Sequence, residues 1–243
     1  MIKLARAEKP DFLTAEKENE LIRAYSESKG SVWNKRLIKE KLLESSYGKC
    51  AYCECKLDEE SKYMEIDHFK CKDIYPDMVV NWENLVPSCK RCNGVKSNHD
   101  VVEKPIINPY ENTPSDHMEI YNMRFQPKDD VGRETINVLS LNDHERAICP
   151  RAKLVFYIDR KISEMLDLIR EYESSLDASK WRKISVGLRG MLVECQKDRE
   201  YSFFTSCTVV KNSEFKEIVA ILMRLEKWNG EIFELYRECA QYQ

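Results

Sequence analysis

Apolar residues recur at helical spacing along much of the chain. Leu21, Ile22 and Tyr25 share one face between Glu16 and Ser26 and predict a helix. Leu37, Ile38 and Leu42 predict a second from Trp33 to Ser46, which Gly48 ends. From Asp143 the chain turns helical again. Leu154, Ile158, Ile162, Met165, Ile169 and Tyr172 form a long stripe, and Pro150 kinks or delays that helix. Lys180 to Cys195 reads as a weaker helix with Gly187 and Gly190 inside it. Glu214 to Tyr242 reads as one strong helix striped by Ile218, Leu222, Leu225, Phe233 and Tyr236.

The middle of the chain has a different texture. Residues 48–99 are rich in Cys, Asn, His and Asp and predict short elements. Lys104 to Pro114 is a Pro/Asn-rich connector. β-Favouring residues at His117–Phe125 and Glu134–Leu139, with Lys128–Gly132 as a turn, predict a β-hairpin. The expected divisions are 1–46 (N-terminal helices), 47–103 (a cysteine-rich module), 104–142 (connector and hairpin) and 143–243 (a C-terminal helical region). No apolar run approaches the ~18 residues of a membrane span.

Composition narrows the function classes. Apolar residues at 42% and charged residues at 33% of 243 exclude a disordered chain. Lys+Arg (39) and Asp+Glu (42) nearly cancel, so no general positive field attracts nucleic acid. Any such binding must use a local patch, a metal or a partner. Met1 to Pro10 carries neither an apolar signal core nor a cleavage site, so a cytoplasmic location is expected. Ten cysteines then argue against a disulfide framework, and the six between 50 and 92 point to a metal.

Cys50-x2-Cys53 and Cys89-x2-Cys92 are two knuckle pairs, 35 residues apart. Two intervening residues let both thiolates of a pair reach one ion, and two pairs complete a tetrahedral four-cysteine zinc site. Such a site is closed and staples the fold. Cys71 is an expected bystander, and Cys55 is either a bystander or a competitor of Cys53 for the zinc. Cys149, Cys195, Cys207 and Cys239 are expected to be ordinary thiols.

The insert between the knuckles holds the candidate chemistry. Asp67 is a hard oxygen donor suited to Mg²⁺. His68 beside it is a general base near neutral pH. Asn93 follows the last knuckle cysteine and offers a second oxygen ligand. Lys96, three residues on, is a candidate for a substrate phosphate. His99 is a spare ligand candidate. Alone, Asp67-His68 reads as a surface pair and Asn93 as a cap, and the neighbouring Phe69, Trp82 and Leu85 read as core. The order of the set carries the signal.

That order, Asp67-His68, then Asn84, then Cys92-Asn93 with Lys96 inside a four-cysteine frame, resembles the HNH or ββα-metal nucleases. The resemblance implies a β-hairpin and helix clamping one divalent ion, with Asp67 and Asn93 as its ligands. It implies that His68 activates water and that Asn84 orients the His68 backbone. Asn93 stands where many members have His, which favours Mg²⁺ or Mn²⁺ at the catalytic site. The implied fold is α+β: a mainly helical protein with an inserted zinc-stapled ββα-metal module and an extra β-hairpin.

A wider pattern covers roughly residues 1–160. It includes Ser31–Asn34, Ser46–Glu54, Glu60–Tyr63, Lys72–Pro76, Trp82–Cys89, Ile107–Pro109 and Leu139–Asn142. It resembles the nuclease-subunit (PtuB) family of Septu-type anti-phage defence systems, which also occurs in some retron operons. The resemblance implies an endonuclease acting on nucleic acid, held by an ABC-type ATPase (PtuA-like). A retron member adds a reverse transcriptase and its small DNA. Residues 47–99 hold eight Lys/Arg against nine Asp/Glu, which suits a nuclease assembled with a partner. Phe215, Leu222, Trp228, Phe233 and Tyr236 are either core or a partner-facing surface. Two other readings remain: a non-catalytic zinc module that binds nucleic acid or protein, and a stand-alone restriction- or homing-type nuclease.

Overall fold

A computed structural model describes residues 1–57 and 63–242; Glu60, Ser61 and Lys62 of the wider pattern lie outside that range. The fold is mainly helical, with two small two-stranded sheets and a four-cysteine cluster among the described residues. The chain divides into two compact units, Met1–Glu119 with Phe125–Asn142, and Ile120–Arg124 with Asp143–Gln243.

The first unit opens with an extended segment whose Ile2, Leu4 and Leu13 are buried. Helix α1 (Ala15–Ser28) starts where Thr14 accepts a hydrogen bond from the Lys17 amide. Helix α2 (Arg36–Ser45) buries Ile38 and Leu42. Gly48, at φ +69°, donates its amide to the Leu43 carbonyl and turns the chain out of α2; this left-handed geometry favours glycine. Strand β1 (Met64–His68) pairs antiparallel with β2 (Leu85–Cys89), setting Asp67 opposite Val86 and His68 opposite Leu85. Helix α3 (Lys90–Lys96) follows β2 without a gap and packs on both strands. A strand–strand–helix module therefore spans Met64 to Lys96.

After a short helix α4 (Pro114–His117), β3 (Met118–Tyr121) and β4 (Arg124–Pro127) form a hairpin. Its turn is Asn122-Met123, both at positive φ, which matches the right-handed strand twist. The hairpin expected around a 128–132 turn is corrected: Asp130–Val138 is helix α5. Asp129 decides this locally, because its side chain accepts from the Gly132 amide at 2.7 Å and caps the helix. Gly132 is required there. A Cβ would sit 1.9 Å from the His117 carbonyl oxygen.

In the second unit, a π-helical turn (His144–Ile148) runs into α6 (Cys149–Ser175). Pro150 stands in the first turn of α6, directly after the π-helical turn. Helices α7 (Ala178–Val193), α8 (Ser202–Lys211), α9 (Ser213–Arg224) and α10 (Gly230–Ala240) complete the unit. The predicted stripe of α6 is buried at Ile158, Ile162, Ile169 and Tyr172, against Ile184 and Leu188 of α7 and Ile218 and Leu222 of α9. Each such side chain contributes ~1.5–3 kcal/mol on burial.

The single helix expected over 214–242 is two. The Lys227 and Trp228 amides fold back onto the Leu222 carbonyl, Glu226 takes a left-handed φ of 56°, and α10 restarts at Gly230. Helix α8 had no clear stripe: Ser202, Phe203, Phe204, Thr205 and Ser206 are all buried, so no polar face marks it. Phe215 and Leu222 are core, Trp228 and Tyr236 pack against it, and Phe233 is exposed.

Candidate metal centre and active-site cleft

The two knuckles converge. All four sulfurs of Cys50, Cys53, Cys89 and Cys92 lie within 4.8 Å of one another, and Cys53 and Cys89 sulfurs are 3.8 Å apart. Thiolates ~2.3 Å from a tetrahedral ion stand about 3.8 Å apart, so the donor set and spacing fit zinc. The backbone builds this locally. In the first knuckle the Cys50 amide donates to the Cys55 carbonyl, the Leu57 amide to the Gly48 carbonyl, and Glu54 turns at φ 64°. In the second, Cys89 caps α3 and its sulfur accepts from the Cys92 amide at 3.4 Å. The Ala51 amide donates to the Pro87 carbonyl at 2.9 Å and ties the two together.

A cleft of about 340 Å³ opens beside this cluster, lined by Trp33, Glu65, Asp67, His68, Lys72 and Asn93 among others. Strand β1 and helix α3 supply its chemistry. Alternation along β1 puts Glu65 and Asp67 on one face.

Asp67 is buried and holds two partners. Tyr52, from inside the first knuckle, donates its hydroxyl to Oδ2 at 2.5 Å. Lys96 Nζ lies 3.1 Å from Oδ1 and also donates to the His68 carbonyl at 2.8 Å. Burial pushes the Asp67 carboxyl above its usual range, while Lys96 and Tyr52 pull it back. Burial, and after it the same carboxylate, hold the Tyr52 phenol well above its ordinary value, so it stays a donor.

His68 is buried at the end of β1. Its Nε2 is 2.8 Å from the Val79 carbonyl, which can only accept. The ring therefore carries its proton on Nε2, and Nδ1 keeps the lone pair. Burial lowers the His68 pKa to about 4, against the opposing effect of the Val79 bond. The ring is neutral at physiological pH. Trp33 meets it edge-on, with centroids 4.6 Å apart.

Asn84 closes the loop that carries these groups. Its Oδ1 accepts from the Lys70 amide at 2.7 Å, and its Nδ2 donates to the Lys70 and Met78 carbonyls. Its own carbonyl accepts from the Phe69 amide. Asn84 thus pins the residues just after His68 and just before Val79, not the His68 backbone itself. Asn93 lines the cleft and donates Nδ2 to Glu65 Oε2 at 2.8 Å.

Two sequence-predicted residues sit elsewhere. The Lys96 ammonium is buried beneath Asp67, because the desolvated carboxylate is its best partner; it is a counter-ion there and not a surface phosphate contact. His99 bonds the Lys104 carbonyl and lies near Glu134, outside the cleft lining. Sequence reasoning missed Tyr52, whose place inside a knuckle was the available signal. It also missed Arg6, which donates to the Trp82, Glu83 and Leu85 carbonyls around Asn84 and stacks 3.7 Å over Tyr110. No local pattern announces Arg6.

The chain is 40% identical over 233 residues to a Septu protein PtuB of Bacillus thuringiensis, covering 95% of this chain and 90% of that relative. It belongs to the PtuB family of Septu proteins. A second PtuB, from Bacillus mycoides (strain KBAB4), is 27% identical over 229 residues, covering 75% of this chain and 77% of the relative. No family model matches, and no solved structure matches. The alignment with the first PtuB is long enough to take in both compact units, so the family likeness extends beyond the cysteine-rich module. No helix among the described residues of this PtuB-family chain is long and apolar enough to cross a membrane.

Proposed function

We propose that this PtuB-family chain is a metal-dependent HNH-type endonuclease, the nuclease subunit of a cytoplasmic Septu-type anti-phage defence assembly with a PtuA-like ABC-type ATPase. Residues 47–103 are its nuclease module. The observation that carries the reading is the His68 ring. Its Nε2 is bound to the Val79 carbonyl, which leaves Nδ1 of the neutral ring without a proton, and His68 and Asp67 both line the cleft.

Zinc on Cys50, Cys53, Cys89 and Cys92 is the staple in this reading, and Asp67 with Asn93 holds a catalytic Mg²⁺ or Mn²⁺. The donor set fits, being one carboxylate and one amide oxygen, both hard. A divalent ion bound there supplies charge stabilisation at the phosphate and the leaving oxygen. His68 Nδ1 takes the proton of the attacking water as its oxygen bonds to phosphorus and the phosphoester bond breaks. Asn84 keeps the His68 loop in register, and Tyr52 and Lys96 keep Asp67 in place. A retron reverse transcriptase and its small DNA are further partners where the operon supplies them.

A second reading has its own support. Tyr52 and Lys96 already satisfy both Asp67 oxygens, as they would in a non-catalytic zinc module. One experiment separates the two. Zinc-loaded chain is incubated with plasmid DNA, single-stranded DNA and RNA, with Mg²⁺, Mn²⁺ or EDTA, alone and with the PtuA-like ATPase. Metal-dependent cleavage that His68→Ala abolishes supports the nuclease and identifies its substrate. Cleavage that is as strong without the ATPase supports a stand-alone enzyme. No cleavage under any condition by a folded, zinc-loaded chain overturns the nuclease reading.

A further inference from the structure

Glu65 lies two residues before Asp67 on the same face of β1 and shares the cleft with Asn93 of α3. Its carboxylate can only accept when ionised, and it receives the Asn93 side chain at 2.8 Å. An amide has two unlike ends. The end that meets a carboxylate must be the N–H₂ end, so the bond selects one of the two amide orientations and turns Oδ1 away from Glu65. An Asn side chain without such a partner flips between the two orientations, and half of them present a donor where a cation needs an acceptor.

We propose that Glu65 is a positioning residue for divalent-cation binding in this cleft: it holds the Asn93 amide so that Oδ1 is the ligand atom beside Asp67. This rests on the reading of Asp67 and Asn93 as the cation's ligands. The register supports it. Glu65 pairs with Ser88, one residue before the knuckle residue Cys89 that caps α3, so the strand carrying Glu65 and the helix carrying Asn93 are tied at the same end. The cysteine cluster thereby sets the Glu65–Asn93 distance as well as the fold. The ring of His68 is not part of this contact, so the role is separable from proton transfer.

The test reads Mn²⁺ binding to the zinc-loaded chain by the loss of the free-ion electron paramagnetic resonance signal, which needs no substrate and no turnover. Zinc content and thermal melting verify folding of each variant. Asp67→Ala and Asn93→Ala establish whether the cation binds where the reading puts it; unchanged Mn²⁺ affinity in both overturns that reading, and the Glu65 role with it. With those two weakened, Glu65→Ala is expected to lose about tenfold in affinity, the usual scale for a residue that orients a ligand. Glu65→Gln keeps an acceptor oxygen for the Asn93 amide and is expected to recover most of it. Glu65→Ala added to Asn93→Ala should cost nothing more, because Glu65 acts through Asn93. Wild-type affinity in Glu65→Ala overturns the proposal while leaving the ligand reading intact. So does equal loss in the Gln and Ala variants, which would make the carboxylate a direct ligand.

Discussion

Tyr52 Oη and Asp67 Oδ2 are 2.5 Å apart, and that bond joins a residue of the first cysteine knuckle to the carboxylate at the floor of the cleft. The knuckle therefore does more than staple the chain. Removing the hydroxyl takes this partner from a buried carboxylate oxygen. Tyr52→Phe should keep full zinc content yet lose about 2 kcal/mol of stability, the range for a hydrogen bond to a buried charged group. Denaturant unfolding measures it. A loss under ~0.5 kcal/mol would mean the bond is not formed in solution.

Zinc removal should loosen the same region. The amides of Ala51 and Cys92 donate to the Pro87 carbonyl and the Cys89 sulfur, so both are held by the knuckles. Four thiolates without their ion repel, and the binding free energy of a structural zinc is folding free energy. Treatment with a strong chelator should sharply raise hydrogen exchange in peptides 47–57 and 85–96. Unchanged protection there would show that the cluster folds without metal.

The neutral, buried His68 makes stability depend on pH. Its pKa falls from the ordinary 6.5 to about 4 on folding. The unfolded chain binds more protons between those values, so this contribution is full above pH ~6.5 and is lost as pH falls through ~4, at about 3 kcal/mol in total. Asp67, held above its usual range, acts in the opposite direction. The comparison is therefore with His68→Gln, which keeps Asp67. Urea unfolding at about pH 7 and pH 4.5 should show a smaller acid loss in the variant, and equal losses would refute a neutral His68.

Gly132 tests the packing of the first unit. An added methyl group would lie 1.9 Å from the His117 carbonyl oxygen, which is backbone and cannot swing aside. Gly132→Ala should destabilise by about 3 kcal/mol, the upper part of the overpacking range, despite alanine's better helix propensity. A stabilised variant would show that α5 shifts freely.

What the sequence determined by itself was local. The C-x2-C pairs predict knuckles because a two-residue gap sets the reach of both sulfurs, and they do converge. The stripe of Ile158, Ile162 and Ile169 predicts α6 because helical periodicity acts over a few residues. Asp67, His68 and Asn93, singled out by their order in the sequence, all line the cleft, while Asn84 ties the loop that follows His68. The tertiary structure decided the rest. Which His68 nitrogen is free depends on a carbonyl eleven residues away, and the side of the site that Lys96 occupies depends on Asp67, 29 residues away. Arg6 reaches Asn84's neighbours across 76 or more residues, and no periodicity encodes such a partner. The hairpin was misplaced because Thr135 and Ile136 favour strands in isolation. The Asp129 cap and the close approach of Gly132 to His117 outweighed that weak preference, since capping and tertiary packing exceed intrinsic β propensity.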